Sequence, residues 1–137
     1  MIQSVKDRTG TPAMSSRSLR IVVADDEPEM RAFLQKVCEH LGHKVIAAVD
    51  NGQDLVKQCR REHPDLIVTD VIMPDIDGLT ALEQISQHEA VNAIVITAHD
   101  WPELHDRAKL LNVKGYLIKP VGISDLKPVI TAVAEGA

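Results

Sequence analysis

Five short apolar runs recur along this chain, each followed by a stretch with helical periodicity, and that alternation constrains the fold more than any other feature. The runs are Ile21–Ala24, Val45–Val49, Leu66–Val68, Ile94–Ile96 and Tyr116–Ile118. Most are continuous rather than alternating in polarity, as expected of strands covered on both faces in a parallel sheet. The stripes between them are Met30, Phe33, Leu34, Val37 and Leu41; Leu55, Val56 and Cys59; Leu79, Leu82 and Ile85; Trp101, Leu104, Ala108 and Leu111; and Leu126, Val129, Ile130 and Val133. Gly42 offers the first helix a left-handed stop. Ser124 is a candidate N-cap for the fifth, with Pro128 in its first turn. Strands alternating with helices imply right-handed βαβ crossovers. The expected fold is α/β and doubly wound: five parallel strands, five helices, helices on both faces.

Length and composition set the outer limits. A chain of 137 residues that is 45% hydrophobic suits one domain with a single core. A net charge of −5 and the lack of a basic patch argue against direct binding of nucleic acid. No apolar stretch approaches the length of a membrane span. Residues 1–18 (MIQSVKDRTGTPAMSSRS) lack an apolar signal core and are rich in Ser, Thr, Gly and Pro. They read as a flexible leader ahead of one domain at 19–137. Cys38 and Cys59 lie on helical stripes and read as small buried hydrophobes. With no CxxC and no export signal, they fit a reducing cytoplasm.

In such sheets ligands sit beyond the carboxyl ends of the strands. Asp25-Asp26 follows the first strand, Asp70 the third, Thr97-Ala98 the fourth and Lys119-Pro120 the fifth. Each has an ordinary reading. Asp25-Asp26-Glu27 before Pro28 could complement a helix dipole. Thr97 could be a plain strand residue and Lys119 a solvated charge. Together they would place three carboxylates, a hydroxyl and an amine on one rim. Clustered carboxylates repel unless a cation intervenes, and a hard divalent ion such as Mg²⁺ suits oxygen ligands. A carboxylate held by that ion can act as nucleophile toward a phosphoryl group. The transferring group's oxygens would be met by the metal, an ammonium and a hydroxyl.

Four segments carry a family resemblance: VVADDEP, PDLIVTDVIMPDIDGL, VITA and GYLIKP, in that order. From about Leu19 to Val133 the chain resembles the receiver domain of bacterial two-component response regulators. The resemblance implies a flavodoxin-like sheet in order 2-1-3-4-5. It implies Asp70 as phosphoacceptor, with Asp26, Asp70 and the Ile72 backbone carbonyl as Mg²⁺ ligands and Asp25 acting through water. Lys119 would pair with phosphoryl oxygens, aimed by a cis Lys119–Pro120 peptide. Small Ala98 would keep the approach open. Thr97 would move inward to bond the phosphoryl group and Tyr116 would rotate inward after it. That would remodel the face made by the fourth helix, fifth strand and fifth helix. Tyr116 also reads as a half-buried strand aromatic. Asp75 and Asp77 read as loop and helix-start acids.

The implied partners are a sensor histidine kinase or phosphotransfer protein and a downstream output domain or protein, with a homodimer through the fourth and fifth helices open. The implied setting is cytoplasmic, with turnover of an external substrate not expected. The chain departs from the family pattern at four positions. Asn112 stands where Gly is usual, as a substitute left-handed stop. Val121 stands where an aromatic is usual. Ile72 and His99 flank the expected path of a hydrolytic water, and an apolar Ile72 predicts unremarkable to slow self-dephosphorylation. His99 could alternatively take a phosphoryl group or a metal. Trp101, in phase with the fourth stripe, is expected to be partly buried, with a partner-binding role as the second reading. The tail resembles receivers that precede an RNA-binding antiterminator module, so both a natural end and a truncated output domain stay open.

Three other readings compete. A Mg²⁺-dependent phosphohydrolase with a covalent aspartyl phosphate would need a second acid two residues after Asp70, where Ile72 stands. A flavodoxin-like cofactor binder would need a phosphate-cradling loop after the first strand, where Asp-Asp-Glu would repel phosphate. A degenerate receiver acting by contact alone would lack one of these residues, and none is missing.

Overall fold

The computed structural model describes residues 17–136. The elements run β1 (Arg20–Ala24), α1 (Pro28–His40), β2 (Lys44–Val49), α2 (Gly52–Glu62), β3 (Leu66–Asp70), α3 (Gly78–Ser86), β4 (Asn92–Thr97), α4 (Pro102–Lys109), β5 (Val113–Ile118) and α5 (Ile123–Ala134). All strand pairings are parallel and the order is β2-β1-β3-β4-β5. The expected leader lies outside the described residues except for Arg17 and Ser18. These two are tied down: the Arg17 guanidinium lies 3.2 Å from Asp65, and the Ser18 hydroxyl donates to the Gly42 carbonyl at 3.0 Å.

The sheet explains why the apolar runs look continuous. Ile21, Val23, Leu66, Val68, Ile94 and Ile96 face one side, where Leu34, Val37 and Cys38 of α1 meet Leu126, Ile130 and Val133 of α5. Val22, Ala24, Ile67 and Val95 face the other, under Leu55 and Cys59 of α2, Leu79, Leu82 and Ile85 of α3, and Leu104 and Ala108 of α4. Side chains alternate between faces, but both faces are apolar, so polarity does not alternate. Each fully buried Leu or Ile contributes about 1.5–3 kcal/mol.

Local chemistry sets the element ends. Pro28 opens α1, where its missing N–H is not needed, and Gly42 follows its end at φ +92°. Asn51 caps α2 by accepting the Asp54 N–H, and Asp77 caps α3 by accepting the Thr80 N–H at 2.7 Å. Asp77 is thus a helix-start acid, as expected.

Four local expectations are corrected. Gly122, not Ser124, is the N-cap of α5, because Asp125 reaches back to accept the Gly122 N–H at 2.8 Å. The helix therefore begins earlier, and Pro128 lies inside it rather than in its first turn, removing one rung of the ladder. Asn112 does not adopt a left-handed conformation. α4 instead ends on right-handed Leu110, and the Asn112 amide donates to Asn92 Oδ1 at 3.0 Å. Trp101 is 49% exposed and stacks on His99 at 4.4 Å between ring centroids. Pro102 at the first helical position holds the preceding residue extended, so Trp101 caps α4 and leaves its apolar phase.

Candidate functional site

Parallel register brings the carboxyl ends of β1, β3, β4 and β5 to one level: Ala24 pairs with Thr69, Asp70 with Ile96 and Thr97 with Ile118. The loops that leave this rim converge on Lys119. Its ammonium lies 3.0 Å from Asp70 Oδ2, 3.1 Å from Asp25 Oδ2 and 2.7 Å from Glu27 Oε1. The Lys119–Pro120 peptide is cis, and the Lys119 N–H donates to the Thr97 carbonyl at 2.8 Å.

Backbone donors hold the acids. Asp70 Oδ1 accepts the Val71 N–H at 2.7 Å, with the Ile72 N–H at 3.4 Å. Asp25 Oδ1 accepts the Glu27 N–H at 2.9 Å, while Arg31 donates to the Asp25 carbonyl at 2.9 Å. Asp25 is fully buried, Asp70 nearly so, and Asp26 is exposed. Asp25 Oδ2 is near Lys119 but poorly aligned with it, and this buried oxygen has no hydrogen-bond partner.

Electrostatics follow from this crowding. Burial pushes the Asp25 carboxyl above its ordinary value, opposed by the Glu27 N–H and by Lys119. Burial alone would lower the Lys119 pKa, but the Glu27, Asp70 and Asp25 carboxylates around it outweigh that and raise it. The ammonium stays charged. The bond from Lys119 holds the Glu27 carboxyl below its usual range. Three carboxylates thus crowd around one ammonium, and an oxygen from each of Asp25, Asp26 and Asp70 lies within 4.8 Å of the others. A buried carboxylate oxygen with an ammonium nearby but no hydrogen bond, in an all-oxygen donor set, fits a hard divalent cation such as Mg²⁺.

The cleft above, about 220 Å³, is lined by Asp26, Glu27, Asp70, Ile72, Ala98, His99 and Lys119. Ile72 is 44% exposed there. Thr97 is buried behind the cleft wall, its hydroxyl accepting the His99 N–H at 3.2 Å. Tyr116 lies outside the cleft, half-buried against the His105 ring at 3.9 Å. Its hydroxyl is buried without a partner, and burial raises its pKa.

Two participants escaped sequence reasoning. Glu27 belongs to the Lys119 cluster, and its only signal was its place directly after the acid pair. Arg107 of α4 grips Asp77 from across the α3–α4 boundary, and no motif marks it. A wider cavity of about 430 Å³ opens at the opposite end of the sheet, lined by Ile67, Leu82, Ile85 and Leu111 among others. It gathers no comparable set of charged groups.

A doubly wound sheet of this strand order, with an acidic rim served by one partly buried lysine, is the architecture of phosphorylation-controlled signalling domains. The chain belongs to the response regulator receiver domain family, whose sequence model matches residues 21–131. It is 32% identical over 120 residues to the transcriptional regulatory protein PdtaR of Mycobacterium tuberculosis, covering 88% of this chain and 58% of PdtaR. The chain thus spans a little over half the length of that relative. It is 33% identical over 120 residues to protein PilH of Pseudomonas aeruginosa, covering 85% of this chain and 98% of PilH. A LuxR-family two-component response regulator from Aurantimonas superposes with a TM-score of 0.80 at 25% identity, covering 88% of this chain and 87% of that one. Phosphorylation and Mg²⁺ dependence are generic to the family, whose members work with histidine kinases and output domains. Among the described residues, no helix is long and apolar enough to cross a membrane.

Proposed function

We propose that Asp70 accepts a phosphoryl group from the phosphohistidine of a sensor histidine kinase or phosphotransfer protein. The observation that carries this is the Lys119 ammonium 3.0 Å from Asp70 Oδ2, beside a buried Asp25 oxygen that lacks a hydrogen-bond partner. Asp70 Oδ1 is held by the Val71 N–H, leaving Oδ2 to face the cleft and attack phosphorus. The phosphorus–nitrogen bond of the donor breaks as the new phosphorus–oxygen bond forms, and the imidazole leaves. Lys119, already charged, then pairs with the phosphoryl oxygens. Asp26, Asp70 and the Ile72 carbonyl would hold Mg²⁺, with Asp25 reaching it through water. The ion would supply positive charge to the transferring oxygens and relieve the repulsion among the carboxylates.

Downstream, Thr97 would turn its hydroxyl from the His99 N–H toward the new phosphoryl group. Tyr116 would leave its contact with the His105 ring for the space that Thr97 vacates. Its partnerless hydroxyl and half-buried ring support a residue with a second position to occupy. The face of α4, β5 and α5 would then meet an output domain, an output protein or a second copy. The acidic net charge favours a protein partner over nucleic acid, and a cytoplasmic setting fits the two buried, unpaired cysteines. The exposed apolar Ile72 supports a signalling role over a phosphohydrolase, because it stands where that chemistry would place its second acid.

Incubation with Mg²⁺ and phosphoramidate, read by intact mass, tests the assignment. One base-labile phosphoryl group should appear, and should be absent without Mg²⁺ and in Asp70→Asn. No gain in the wild-type chain would remove Asp70 as acceptor.

A further inference from the structure

Arg107 is the one side chain of α4 that makes an ion pair with α3 or its cap among the described residues. Its guanidinium spans both oxygens of Asp77, at 3.2 and 3.3 Å, and donates to the Thr80 hydroxyl at 3.0 Å. Glu83 lies 3.7 Å away on the next turn of α3. The pairing holds the Asp77 carboxyl below its ordinary value, against the opposing effect of burial. A planar fork engaged at three acceptors fixes its partner more closely than a point charge does.

The partner matters because of its neighbours. Asp77 ends the loop that begins at Asp70. Gly78 donates its N–H to the Val71 carbonyl at 2.7 Å, and a side chain at Gly78 would collide with the Asp70 carbonyl. The loop is thus closed on itself directly beneath the acceptor, and its middle carries Ile72, on the cleft wall. Arg107 reaches this closure from α4, the helix that follows Thr97 at the end of β4 and the loop carrying Ala98 and His99.

We infer that Arg107 is a positioning residue of the phosphoryl site. Through Asp77 it holds the Asp70–Gly78 loop, and so the cation-binding oxygens on that loop, in register with the β4–α4 half of the cleft. The inference rests on the receiver reading of the site and adds to it a residue outside the acidic rim.

The test is a calorimetric Mg²⁺ titration of the full chain, wild type against Arg107→Ala, Arg107→Lys and Thr80→Val. Phosphoramidate acceptance across the same Mg²⁺ range gives a second readout. Arg107→Ala should raise the half-saturating Mg²⁺ concentration roughly three- to fivefold, the scale of a partly exposed ion pair. Its acceptance rate at saturating Mg²⁺ should match wild type. Arg107→Lys, which keeps the charge but not the fork, should fall between. An Arg107→Ala protein that melts earlier but binds Mg²⁺ as tightly as wild type would reduce Arg107 to a structural tie and overturn the proposal. A lower rate at saturating Mg²⁺ with unchanged affinity would overturn it too. Thr80→Val, which leaves both contacts with Asp77, should bind Mg²⁺ as wild type does; should Arg107→Ala lose its cooperative melt, Arg107→Lys decides, since it keeps a charge beside Asp77 but not the fork. A rise in half-saturation supports the proposal and no rise overturns it. A wild-type chain that binds no Mg²⁺ would instead bring down the reading of the site itself.

Discussion

Lys119 and Asp70 are 49 residues apart in sequence, and their side chains meet at 3.0 Å on the rim of the sheet. Among the described residues the ammonium is the one side-chain cation bonded to these carboxylates, so it serves the folded protein and the proposed chemistry together. It offsets repulsion in the unphosphorylated state and is already beside the atom that would receive the phosphoryl group.

Replacing Lys119 with Ala should therefore leave a Mg²⁺-binding site that accepts phosphoryl poorly. Loss of one preorganised charge donor costs about 100-fold or more in rate in comparable sites. Initial rates with phosphoramidate at saturating Mg²⁺ give the measurement. A rate within roughly threefold of wild type, by this order-of-magnitude standard, would show that Lys119 does not meet the transferring group.

Gly78→Ala should disturb the site more than Gly42→Ala, although Gly42 carries the positive φ. A Cβ at Gly78 collides with the Asp70 carbonyl, whereas at Gly42 nothing lies within 4 Å. The first change forces the acceptor loop outward, at a cost of roughly 1–3 kcal/mol, and should weaken Mg²⁺ binding. The second costs about 1 kcal/mol of backbone strain and should leave Mg²⁺ binding intact. Urea denaturation and Mg²⁺ titration on both variants separate the two effects.

His43 should make the fold acid-sensitive away from the site. Its Nδ1 accepts the Leu19 N–H at 3.0 Å, so the bond needs an unprotonated Nδ1. Burial lowers the His43 pKa below 6.5. The folded state then binds fewer protons than the unfolded chain, so this contribution is present above pH 6.5 and is lost as pH falls toward the folded value. His43→Asn should flatten the stability profile between about pH 7 and 5. Equal slopes for wild type and variant would remove His43 as the source.

Cys38 and Cys59 should resist alkylation in the native state. Both are buried, and burial pushes both thiols up to about 12. The reactive thiolate is therefore scarce as well as inaccessible at about pH 8. Iodoacetamide followed by intact mass should show no adduct until denaturant is added, and then two.

The site was legible where chemistry sits at the end of a strand. Asp25, Asp26, Asp70, Thr97 and Lys119 each stand where an apolar run gives out, and parallel strands deliver their carboxyl ends to one rim. Ser124, Pro128, Asn112 and Trp101 were misread where a local rule had a competitor. Asp125 reaches back past Ser124 to Gly122 and starts the helix earlier, Leu110 ends α4 before Asn112 is reached, and Pro102 takes Trp101 out of the helical phase.

The sequence alone determined the number and type of elements and the acids of the rim, because periodicity and strand-end position are local properties. Its resemblance to receivers also implied the strand order. Only the tertiary structure decided that Glu27 shares Lys119 across 92 residues, and that Arg107 grips Asp77 across 30. Such pairs leave no periodic trace. They form where helix packing and loop closure bring side chains together, and their partners are chosen by distance and desolvation after the core has folded.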